Sequence, residues 1–228
     1  MAHIRQAVTV GIAAMAVVAV AAPPASAVTT TIRKGSAAAD AYSGAVRASL
    51  LGTASVSTSI GSGSCSESTM TGSIQANGSG LTINSASFSG AGGGPCTGTT
   101  SSTITTENLP WTGGNVTWDP AHASGRDAGV TISNFRVKAV VNIFGGITCY
   151  FGGNLTANGF NGDNASRPVA SNSQAQVGVT NAVVNRQSGG SFLCPSTATV
   201  NATYQLLGET VAGSGTYDQS LYVTGTNP

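Results

Sequence analysis

Apolar residues recur at every second position in several stretches of the chain, the period of a strand with one buried face. The clearest stretch is Ala198-Thr199-Val200-Asn201-Ala202-Thr203-Tyr204-Gln205-Leu206, in which every even position is apolar. Ala175, Val177, Val179 and Val183 share one face of a second stretch, and Phe135, Val137, Ala139, Val141 and Ile143 share one face of a third. A fourth carries Ala54, Val56 and Ile60. All four read as half-buried antiparallel strands. Between such stretches stand Asn77-Gly78, Asn158-Gly159 and Asn161-Gly162, dipeptides that tolerate positive φ at tight hairpins. Residues 37–51 are ambiguous because Tyr42, Val46 and Leu50 keep a helical i, i+4 spacing. The matching stretch 130–144 looks extended, so strand is expected in both. The pattern predicts an all-β fold, an antiparallel β-sandwich or barrel.

The order of features occurs twice. Val46, Val56 and Ile60-Gly61 precede Cys65, and Val130, Val140 and Phe144-Gly145 precede Cys149. After these cysteines come Gly72-Ser73-Ile74-Gln75-Ala76-Asn77-Gly78 and Gly153-Asn154-Leu155-Thr156-Ala157-Asn158-Gly159, and each copy then reaches a second cysteine, Cys96 or Cys194. The reading is two duplicated halves, pseudo-repeats over about 40–120 and 128–228, in one continuous unit spanning 28–228. Equivalent cysteines in equivalent halves favour the disulfides Cys65–Cys96 and Cys149–Cys194; the other two pairings would cross-link the halves.

Residues 1–27 read as a signal peptide. Arg5 precedes an Ala/Val-rich run over residues 7–22, followed by Pro23-Pro24-Ala25-Ser26-Ala27. That run is shorter than the roughly 20 residues a spanning helix needs, and Ala25 and Ala27 fit the A-x-A rule, so cleavage is expected after Ala27. The mature chain is expected to be secreted and extracellular, with no membrane span. Four cysteines after the signal suit an oxidising compartment.

Only 7% of residues are charged and the formal net charge is +1, against roughly a quarter charged in typical domains. Ser, Thr and Asn must solvate this surface. Without a basic stripe, nucleic acid is excluded as a partner. The one dense charged cluster, Asp119, His122, Arg126 and Asp127, offers a weak metal site or an acid/base pair, but its Pro and Gly neighbours read as a solvated connector between the halves. His122 is the only histidine after the signal, and no G-x-S-x-G elbow or phosphate loop occurs. No enzyme activity, metal or cofactor is expected.

Binding chemistry is easier to accommodate. Trp111 and Trp118 bracket Thr112-Gly113-Gly114-Asn115, and Tyr150 and Phe160 lie near the second half's first cysteine. Aromatic faces beside Asn and Thr suit a cell-wall glycan or an apolar small molecule; the same four residues also suit a β-protein core. The long stretch 160–173, with Asp163, Arg167 and Pro168, reads as either a recognition loop or a tolerated insertion.

With Leu109-Pro110-Trp111, Cys149-Tyr150-Phe151-Gly152-Gly153-Asn154-Leu155 and Ala202-Thr203-Tyr204-Gln205, the mature chain resembles secreted actinomycete proteins of unknown function described only by their signal sequence. The resemblance spans most of the chain and implies no activity; the twin arginine that description presumes is absent. The chain is also loosely similar to the secreted β-sandwich apoproteins of enediyne chromophores, which are about half its length. The expectation is a non-catalytic protein of the extracellular space or cell surface with a structural or binding role. The alternative is a small-molecule or glycan binder that uses exposed aromatics.

Overall fold

Alternation of Val, Ile and Ala with Ser and Thr, broken by glycine-rich turns, produces fourteen strands and no α-helix in the computed structural model, which describes residues 28–143 and 145–226. The expected signal peptide, residues 1–27, lies outside them. In chain order the strands are β1 (Thr29–Lys34), β2 (Gly44–Leu50), β3 (Ala54–Thr58), β4 (Gly61–Cys65), β5 (Glu67–Ile74), β6 (Leu81–Ser89) and β7 (Thr97–Gly98). There follow β8 (Ser102–Thr106), β9 (Trp111–Trp118), β10 (Ala128–Val141), β11 (Ile147–Phe160), β12 (Ala175–Arg186), β13 (Thr197–Glu209) and β14 (Tyr217–Thr226). The ambiguous stretch at 37–51 is strand over Gly44–Leu50.

Eight strands close an antiparallel barrel in the order β2, β5, β6, β9, β10, β11, β12, β13, and β13 returns to β2 with Tyr204 opposite Leu50 and Gly208 opposite Val46. Closure decides between the two architectures the pattern allowed: the molecule is a barrel, not a sandwich. It also leaves fewer of the unguarded edges that so few charges would expose. The four staves β10 to β13 run 12 to 14 residues. The other four are broken by bends, and β3, β4, β7 and β8 extend them at one end, here called upper. There β3 pairs with β13, β4 with β3, β7 with β4, and β8 with β10, while Cys96 bridges to Ser102. The chain up to Trp118 thus supplies four consecutive staves and the chain from Ala128 the other four.

A ribbon of β1 and β14 crosses the lower end. On one side Ile32 N donates to Ala76 O and Trp118 N to Thr30 Oγ1; on the other, the Asn161 amide pairs with both backbone groups of Val223 at 2.7 and 3.0 Å, as a strand neighbour would. The disulfides are Cys65–Cys96 and Cys149–Cys194. Each ties the start of a half's second stave to the connection before its fourth.

Two asparagines set the inward faces. Asn134 in β10 and Asn181 in β12 have φ of 60° and 49° and mark positions where these strands carry one extra residue against their neighbours. Each bulge reverses the alternation. In β10 the inward set changes from Val130 and Ile132 to Phe135, Val137 and Ala139. In β12 the bulge overturns the expected face: Val184 is buried and Val183, grouped by period with Val177 and Val179, is 54% exposed. The hairpin expected at Asn158-Gly159 is also corrected, because both residues lie inside β11, paired with Gly129 and Ala128. Of the three dipeptides only Asn77-Gly78 forms a tight turn with a positive φ.

Candidate functional site

Alternation along each stave points apolar residues into the barrel, and many of them are small: Ala48, Ala54, Gly63, Ala139, Ala198 and Ala202 all face the interior. An eight-strand barrel is the size at which inward side chains either just fill the lumen or leave room for one small ligand. Here they leave room. The lumen holds a cavity of about 270 Å³, far above the roughly 10–15 Å³ that one water needs. Among the described residues no Asp, Glu, Lys, Arg or His lines it.

Three of the polar side chains along the cavity wall are held by partners. Gln176, fully buried, accepts from Val169 N at 2.9 Å and donates to Val169 O and Asn172 O at 2.8 and 3.0 Å. Asn161 is held by Val223 as described. Tyr204, 3% exposed, reaches across β2 so that its hydroxyl lies 3.0 Å from Ser68 Oγ on β5. Burial pushes the Tyr204 phenol up from its ordinary value, partly opposed by the Ser68 hydrogen bond, so it stays neutral.

The two ends differ. Below, Ile32, Leu221 and Val223 of the crossing ribbon form the floor. Above, Ile60 lines the cavity and is nonetheless 45% exposed, so the cavity reaches the surface beside the β3–β4 turn, where Thr58, Gly61, Thr100 and Ile143 also line it. Phe192, 89% exposed, and Leu193, 44% exposed, stand at the same end on the β12–β13 loop.

No protein-family model matches this chain. No curated protein and no solved structure matches it either, so the site rests on its own geometry.

The four aromatic candidates do not converge, and two of them are not exposed. Trp111 is 1% exposed, donates from its indole N–H to Glu107 O at 2.8 Å and packs tilted on Phe135 with ring centroids 4.9 Å apart. It belongs to the packed core. Trp118 is half-buried at the lower end, where its ring covers Gly225 of β14 so closely that a Cβ there would lie 2.2 Å from Cδ1. Tyr150 lies on the outer wall with the Arg136 guanidinium 5.1 Å above its ring. Phe160, 6% exposed, does line the cavity near its floor. Of the four, only Phe160 faces the cavity, and it does so from inside.

The charged connector is tied down by its own partners. Arg126 Nε donates to Asp119 Oδ2 at 2.6 Å, and this hydrogen bond, with the backbone N–H groups of Ala121 and Ala123, holds the Asp119 carboxyl below its ordinary range. His122 Nδ1 is 3.0 Å from Arg126 O and 3.4 Å from Asp127 Oδ1. Asp127 is buried and accepts from Asn161 N and Asn164 Nδ2 at 2.8 and 2.7 Å. The long stretch after β11 is likewise bonded inward: Arg167 donates to the carbonyls of Asn164, Ala170 and Asn172, and Asn164 to Gly125 O. Connector and loop together brace the lower end. Among the described residues no three His, Cys, Asp or Glu side chains gather as a metal site.

Proposed function

We propose that this is a secreted, non-catalytic binding protein that holds one apolar small molecule inside the barrel. The observation that carries the reading is the uncharged cavity of about 270 Å³, open at the upper end and floored at the lower. An apolar cavity of this kind gains little from water, which needs polar partners, and gains dispersion contacts from a hydrocarbon guest. Small inward residues leave that space at a cost in packing, a cost a dedicated binder recovers when its ligand enters.

Apolar side chains face inward and Ser and Thr outward, as in β13 where Thr199 and Thr203 alternate with Ala198, Ala202 and Tyr204. That is the reverse of a transmembrane barrel, whose apolar band faces lipid. With two disulfides and no described helix long and apolar enough to cross a membrane, it supports a role in extracellular water. We read the two four-stave halves as duplicated, on the matching positions of their disulfides and on the repeated order of motifs.

The test is titration with the neutral fluorophore N-phenyl-1-naphthylamine. The wild type is expected to bind one equivalent saturably. Ala202→Phe places a phenyl ring in the lumen and is expected to abolish binding while leaving the melting temperature unchanged or raised. Saturable binding that survives Ala202→Phe would show that the probe sits elsewhere.

A further inference from the structure

Three tyrosine hydroxyls are not equivalent. The Tyr42 hydroxyl donates to Ala45 O and accepts from Glu209 N, and the Tyr222 hydroxyl lies 3.2 Å from the Asp163 carboxylate, which accepts from it. Each therefore has an oxygen acceptor for its proton. The Tyr204 hydroxyl has only the Ser68 hydroxyl, at 3.0 Å. Two hydroxyls carry two protons but share one hydrogen bond, and no other described group accepts from either. One O–H is left over in the interior. Tyr204 lines the cavity and Ser68 does not; with Ser68 O–H donating to the phenol oxygen, the proton left over is the one on the residue that lines the cavity. A donor buried without an acceptor forfeits its hydrogen bond to water and destabilises the fold. Such a group is retained most economically where a ligand supplies the acceptor.

We infer that the ligand is a neutral, largely hydrocarbon molecule bearing one hydrogen-bond acceptor, a ketone, ester or ether oxygen, that receives the Tyr204 hydroxyl inside the barrel. This rests on the cavity being a ligand site. Among the described residues no basic side chain lines the cavity wall, which disfavours a carboxylate, since a charge buried without a partner is expelled or neutralised. The Tyr204–Ser68 pair then forms a short chain in which Ser68 polarises the phenol towards the ligand, each bond strengthening the next. Ser68 is a positioning residue in this arrangement.

The test uses a matched pair of probes, 2-acetylnaphthalene and 2-ethylnaphthalene, which differ in shape little and in acceptor wholly. Their dissociation constants are measured by displacement of N-phenyl-1-naphthylamine from the wild type and from Tyr204→Phe. The substitution is expected to weaken the ketone about 3- to 10-fold, the yield of one neutral hydrogen bond, and to leave the hydrocarbon within about 2-fold on the same reasoning. A ketone-to-hydrocarbon ratio unchanged by Tyr204→Phe overturns this inference alone. If neither probe displaces the fluorophore, the cavity is not a ligand site and both readings fall. A measurement on the wild type needs no variant to fold: the carbonyl stretch of bound 2-acetylnaphthalene is expected at the lowered frequency of a hydrogen-bonded ketone. The frequency found in hexane would contradict the inference.

Discussion

At the scale of single residues, the aromatic positions carry the lesson. Trp111 looked able to serve either a ligand or a core, and the choice turns on which way its stave faces at that level of the barrel. The core has it, with Phe135 against the ring and Glu107 O on the indole N–H. Trp111→Ala is expected to cost about 3–5 kcal/mol in denaturant unfolding and to leave fluorophore affinity nearly unchanged, because Trp111 does not line the cavity; equal losses of stability and affinity would contradict that. Ionisable residues give a second expectation. Backbone N–H groups of Gly92 and Gly93 hold the Glu67 carboxyl below its ordinary value, and Arg126 does the same for Asp119. Their contributions are present above the ordinary carboxylate range and are lost as pH falls through the depressed values. Burial raises Tyr42, Tyr204 and Tyr222; their contributions are present below the ordinary phenol value and are lost as pH rises above it. The urea midpoint should therefore be flat from about pH 5 to about pH 9 and fall on both sides. A midpoint higher at pH 11 than at pH 7 would contradict the tyrosine placements.

At the scale of elements, period-two alternation identified strands wherever a stave is regular and failed where an asparagine inserts a residue. The face of β13 from Ala198 to Leu206 was legible because no bulge interrupts it, whereas Val183 was assigned to the wrong face because Asn181 adopts a left-handed conformation two residues before it. Asn158-Gly159 has the composition of a hairpin but sits within a ladder, where pairing to β10 on one side and β12 on the other overrides local turn preference. Cysteine order was legible because it follows stave order. The disulfides close separations of 31 and 45 residues, worth roughly 3.5–4 kcal/mol each on the chain-entropy model. Replacing both Cys149 and Cys194 by Ala is expected to lower unfolding free energy by about that amount while retaining the strand signal in circular dichroism. Conversion to an unfolded spectrum at 25 °C would mean that the whole fold hangs on that bridge.

At the scale of the whole molecule, the cavity was not legible, since it exists only once β13 pairs back to β2 across more than a hundred residues of chain. Nothing local to Tyr204 or Leu50 announces that contact. A signal was nonetheless present in the preference for Ala and Val over Leu and Phe at inward positions: such residues pack a sandwich adequately but underfill a closed eight-stave ring. The hydroxyl-rich exterior follows from the same alternation, and it allows a chain with 7% charged residues to meet water without a charged coat. Floor, mouth and the uncharged wall between them are properties of closure.

Methyl-resolved NMR of the protein titrated with 2-ethylnaphthalene reads the central claim most directly. The inward methyls of Val177, Val179 and Val200 are expected to shift together and saturate at one equivalent, while those of the exposed Val183 and Val211 stay put. Shifts confined to Val183 and Val211, or none at any methyl, would contradict a ligand inside the barrel.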